Sequence, residues 1–131
     1  MIKLLFKLFK EAYEKHLNEK VENYYEIYHF SMEPGHTSHN NEADAFKHTY
    51  MAAELTILLG AYIAEKLCIM QEDTNPNNPP AERKMDLHND EVGINIGKEL
   101  KKGMFHLINM DDKIAEKVME AMEDGELITS V

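Results

Sequence analysis

One cysteine, no tryptophan, four prolines and six glycines among 131 residues rule out several kinds of protein at the start. The lone thiol, Cys68, cannot close an internal disulfide, so no covalent staple holds this chain, and a reducing compartment suits it. It lies in an apolar helical run, where it reads as a small buried hydrophobe before it reads as a nucleophile. Basic side chains are also few, 14 against 24 acidic ones, for a formal charge of -10. That balance argues against general nucleic-acid binding, which needs a basic footprint. No apolar stretch is long enough to cross a bilayer, and the first residues lack the layout and cleavage site of a signal peptide. The expected location is therefore the cytoplasm of the producing cell. There is no repeat, no interdomain linker and no useful strand alternation.

What is present is enough apolar residue, 44%, to build a core at a size that fits one compact domain over residues 1–131. The pattern predicts an all-α fold of four to five helices around a central buried helix. An N-terminal amphipathic helix is expected over about residues 1–30, with a solvated charged face through Glu11, Glu14, Lys15, Glu19 and Lys20. Its aromatic end, Tyr24, Tyr25, Tyr28 and Phe30 with Ile27, reads as core. Its first ten residues put Lys3, Lys7 and Lys10 on one face and Ile2, Leu5, Phe6, Leu8 and Phe9 over much of the rest. Core packing is the expected use of that segment, and contact with a membrane surface is the alternative.

Ser31 to Asn41 reads as a loop carrying His36 and His39, with Asn40 or Asn41 capping the next helix. From Ala43 to about Met70 the chain is apolar nearly all round, which predicts one long central helix bent at Gly60. Gln71 to Pro80 is expected to be a surface loop. A helix from about His88 to Met104 and another from about Asp111 to Met122 follow. The nine methionines are scattered and read as core filler. His16, His29 and His106 read as structural or exposed.

Two short segments set acids, imidazoles and amides among apolar residues: Asp44-Ala45-Phe46-Lys47-His48 and Met85-Asp86-Leu87-His88-Asn89-Asp90-Glu91-Val92-Gly93. Charged groups are costly to bury without partners, so such interruptions usually form one satisfied constellation. Asp44 and His48 are helical neighbours four apart. Either both ligate a metal, or Asp44 holds one imidazole nitrogen while the other acts. The bland reading is a first-turn acid beside a hydrogen-bonded core histidine. For the second segment it is helix capping, which would account for Asp86, Asn89 and Asp90 but less well for His88. Carboxylates with imidazole suit a divalent ion such as zinc, manganese or iron, and carboxylates with an amide suit magnesium or calcium. Glu72 adds an acid at the far end of the central helix. Glu54 is rotated away from the Asp44–His48 face.

At these residues the sequence resembles an uncharacterised bacterial all-helical family. Its members carry Asp-Ala-Phe-Arg-His-Ala-Tyr, then Ala-His-Glu, then Met-Asp-Leu-x-Asn-Asn-x-Val-Gly. Here these read Asp44 to Tyr50, Met70-Gln71-Glu72, and Met85 to Gly93, with Lys47 for Arg, Gln71 for His and Asp90 for Asn. The likeness covers roughly residues 39–97. Such domains often belong to secreted or polymorphic-toxin-like proteins, so the resemblance implies an antibacterial effector or hydrolase-like module delivered to another compartment or cell.

Two functions are therefore expected in competition. In the first, a metal-dependent hydrolase acts on a phosphoester or cell-envelope substrate. Asp44, His48 and Asp86 hold the ion, Glu72 or His88 is the general base, Asn89 positions substrate or oxyanion, and Lys47 meets an anionic group. In the second, the cluster only locks helices together and the acidic surface engages a cognate protein, as immunity- or adaptor-type chains do. Surplus apolar surface on the first helix leaves homo-oligomerisation open.

Overall fold

A computed structural model describes residues 2–30, 42–73, 77–103 and 109–130. The expected loop 31–41, with His36, His39 and the Asn40/Asn41 cap, lies outside the described residues, as do Met104 and His106. All secondary structure among the described residues is helical: α1 (Ile2–Ile27), α2 (Glu42–Leu59), α3 (Ala61–Asp73), α4 (Pro80–Lys102) and α5 (Met110–Glu123). The all-α expectation holds, and the central helix is α2, which touches each of the other four.

The reason is composition. Ala43, Ala45, Phe46, Tyr50, Met51, Ala52, Ala53 and Leu55 are buried on every side of α2, as expected of a helix with no polar face to turn outward. Around Phe46 the rings of Tyr24, Tyr25, Tyr28, Phe30 and Tyr50 gather at centroid separations of 5.5–6.4 Å. The predicted aromatic core is thus in place, except for Ile27, which is exposed.

Three boundaries depart from expectation. The central element is two helices, not one. At Gly60 (φ +92°) the chain leaves the helix for a single residue, in a conformation that L side chains rarely adopt, and α3 folds back along α2. Residues Gln71–Asp73, expected in the loop, complete α3. Helix α4 begins at Pro80, well before His88. Proline needs no amide partner in the first turn, and Ala81 to Met85 are good helix formers, so the proline pair starts this helix.

The inner face of α4 reads Met85, Asp86, Asn89, Asp90, Gly93, Ile96 and Gly97, a continuous helical stripe. Its two glycines let α4 approach α2 closely. A Cβ at Gly93 would collide with the Thr49 carbonyl oxygen and come within 2.8 Å of the Ala52 Cβ, and one at Gly97 would lie 2.7 Å from the Ala53 oxygen. That close approach delivers Asp86 and Asp90 of the stripe to α2.

Candidate metal centre

Helix α2 supplies Asp44 and His48 one turn apart, and α4 supplies Asp86 and Asp90 one turn apart. Glu72 arrives from α3 because Gly60 turns the chain back. Were α2 and α3 one straight helix, 24 residues at ~1.5 Å each would leave Glu72 about 36 Å from His48. Instead, ligand atoms of His48, Glu72 and Asp90 lie within 4.8 Å of one another, as do those of Asp44, His48 and Asp86.

His48 is the hub. Its Nε2 lies 3.5 Å from an oxygen of Asp44 and 3.5 Å from an oxygen of Asp86, and its Nδ1 lies 3.6 Å from an oxygen of Asp90. These separations exceed the usual 2.7–3.2 Å of an N–H···O hydrogen bond. The two at Nε2 are close to the ~3–3.5 Å between two donor atoms that share an ion at about 2.0–2.2 Å from each. The His48 Nδ1, the Asp86 Oδ1 and both oxygens of Asp90 are buried without a hydrogen-bond partner, although the Asp90 side chain is only 3% exposed. Buried polar atoms are rarely left so, because each costs the desolvation it cannot recover.

Electrostatics point the same way. Burial works to lower the His48 pKa, but the neighbouring Asp44 and Asp90 carboxylates outweigh it and hold the imidazole well above the usual histidine range. Burial, with the Asp86 charge beside it, pushes Glu72 up to about 7, although Asn78 donates a 2.6 Å hydrogen bond to its Oε2. Asp86 rises to about 6 and Asp90 rises as well, both chiefly through burial. Four carboxylates against one imidazole is an excess of negative charge, and Glu72, Asp86 and Asp90 offset it by holding their protons to higher pH than usual. A divalent cation would replace those protons, and the donor set of one imidazole nitrogen with several carboxylate oxygens suits manganese, zinc or iron.

Of the residues expected at the site, Asp44, His48, Glu72 and Asp86 come together. Lys47 is half-buried on α2 next to His48 in sequence. His88 is exposed, and its Nε2 lies 2.7 Å from the Glu126 carbonyl oxygen, away from the cluster. Asn89 is fully buried but turned to the C-terminal tail: its amide donates to the Ile128 oxygen and accepts from the Ile128 amide, both at 2.9 Å. Asp86, Asn89 and Asp90 lie well inside α4, so capping explains none of them. Asp90 is the site residue that the capping reading concealed, and its spacing of four from Asp86 was the available signal. Glu54 faces the other way, taking hydrogen bonds from Tyr13 and Lys20, each 2.7 Å. Cys68 is buried and its thiol pKa is pushed up by burial, in keeping with a packing role.

Fold and site together describe an all-helical domain with a buried acid–imidazole centre shared by three helices. The chain belongs to the family described as "Domain of unknown function (DUF6973)", which matches residues 6–126 and so takes in α1 and α5 beyond the motif-bearing stretch 39–97. No curated protein and no solved structure matches it.

Proposed function

We propose that this domain is a metal-dependent hydrolase whose divalent ion is held by Asp44, His48 and Asp86. The observation that supports this most is the meeting of two carboxylates from different helices on one nitrogen of a buried histidine, with a third carboxylate behind its other nitrogen. Asp90 would accept from Nδ1–H and so present Nε2 as the ligand, the carboxylate–histidine–metal arrangement. The ion supplies electrophilic activation of water near neutral pH. Glu72, a carboxylate beside His48 whose pKa burial raises to about 7 before any cation is bound, is the general base in this reading, and Asn78 orients it. Phosphoesters or cell-envelope components are the substrate class, by analogy with the toxin-like bacterial proteins whose motifs this chain resembles. Action outside the producing cell goes with that analogy.

The test is hydrolysis of model phosphodiesters and envelope fragments with Mn²⁺ or Zn²⁺, comparing the native protein with Glu72→Gln. The proposal expects turnover that requires the ion and falls by 10²-fold or more, roughly the worth of a general base, in a variant that still binds metal. Ion-loaded native protein with no turnover on any of these substrates contradicts it.

A second reading, a charged lock joining α2, α3 and α4 in a non-catalytic binding protein, is favoured by the enclosure of the cluster. The side chains of His48 and Asp44 are each 13% exposed and that of Asp86 11%. The same experiment separates the two, because a lock gives no turnover with or without the ion.

A further inference from the structure

Helices α1 and α2 run antiparallel. Tyr25 near the end of α1 donates to the Ala43 carbonyl at the start of α2, while Tyr13 and Lys20 reach Glu54 further along it. Helix α1 has 26 residues and α2 has 18. The excess of eight, about 12 Å at ~1.5 Å per residue, therefore comes out at the amino end of α1, beyond the Gly60 elbow. This overhang carries Leu4, Leu5, Leu8 and Phe9, which are 59%, 59%, 53% and 48% exposed. The expectation that this segment packs in the core fails for these four side chains, because α2 ends before it reaches them. The elbow at the same end of the molecule adds Leu58 and Tyr62, the two most exposed large hydrophobic residues described.

Charge at this end is reversed relative to the molecule. The chain carries -10 overall, yet its first ten residues hold Lys3, Lys7 and Lys10 and no acid. Lys66 adds a cation over the Tyr62 ring, 5.4 Å from its centroid. Glu11 directly follows Lys10 on α1, and Glu65 directly precedes Lys66 on α3. Among the described residues no helix is long and apolar enough to cross a membrane. An exposed apolar arc beside lysines, too short to span, has the chemistry of a helix that lies in the plane of an anionic lipid surface. Lysines with long stems can keep their ammonium groups among the headgroups while such an apolar arc enters the lipid.

We infer that the overhanging start of α1, with the α2–α3 elbow, docks this protein on an anionic membrane surface. The inference is independent of any metal at the His48 cluster.

The experiment is flotation of the full chain with phosphatidylcholine vesicles, with and without phosphatidylglycerol. Native protein is expected to float with the phosphatidylglycerol vesicles, to float less with phosphatidylcholine alone, and to be released by added salt. Replacing Lys3, Lys7 or Lys10 by Gln should weaken binding by about fivefold each. The double substitution Leu5→Glu/Leu8→Glu should abolish it while leaving the melting temperature unchanged, since both side chains are exposed. Native protein that stays unbound on phosphatidylglycerol vesicles overturns the inference. So does binding that survives Leu5→Glu/Leu8→Glu, and so does a dimer in solution that the same substitution disperses without any vesicle binding.

Discussion

Asn89 and Asp90 are neighbours in sequence with different duties. Asn89 turns its amide to the tail and holds Ile128 by two hydrogen bonds, fastening the segment that buries Leu127. Asp90 turns its carboxylate to His48 and makes no hydrogen bond of its own. Asn89→Ala should therefore cost about 1–3 kcal/mol, the worth of two buried backbone groups losing partners, as read by chemical denaturation. Its ion binding should match the native protein; a loss of metal affinity as large as that of a ligand variant would return Asn89 to the site. At this scale the sequence was legible where chemistry and spacing coincide, as for Asp44 with His48. It was misleading where one residue type serves two purposes. An Asp or Asn after a proline-rich stretch reads as a cap, and only the true start of α4 at Pro80 shows that these residues sit two turns too deep for that.

Glycines set the arrangement of the elements. Gly60 folds α3 back on α2 and so brings Glu72 to His48, while Gly93 and Gly97 let α4 close on α2 and so bring Asp86 and Asp90. Gly93→Ala adds one methyl against the Thr49 carbonyl and the Ala52 side chain, both parts of a buried helix that cannot yield easily. It should destabilise the fold by about 1–3 kcal/mol and, by moving α4 outward, weaken ion binding as well. A stable variant with native affinity would show that the close approach does not position the site. The existence of the helices was legible from apolar periodicity, but their angles were not. A glycine in an apolar helical run permits a straight helix, a bend or a reversal alike, and what selects among them is long-range packing that no local pattern records. The spacing of four between Gly93 and Gly97 was a visible sign of close helix contact.

For the whole molecule, the consequence of the cluster is a coupling of protons, fold and cation. In the metal-free protein Glu72 and Asp86 hold their protons to about pH 7 and 6, against about 4.3 and 3.9 for such groups in an unfolded chain. His48 also keeps its proton above the normal histidine range. Between about pH 4 and 7, and onward through the His48 titration, the folded state therefore binds more protons than the unfolded one. By linkage these groups lower stability as pH rises across that window. A cation competes with the same protons, so its affinity must rise with pH over the same range.

Calorimetric titration of Mn²⁺ into the metal-free protein, repeated between about pH 5.5 and 7.5, tests this account most directly. It predicts one ion per chain, proton release on binding, affinity that strengthens toward the higher pH, and no binding by a folded His48→Ala variant. Folded native protein that takes up neither Mn²⁺ nor Zn²⁺ at the upper pH, or a His48→Ala variant that binds as well as the native chain, would contradict it.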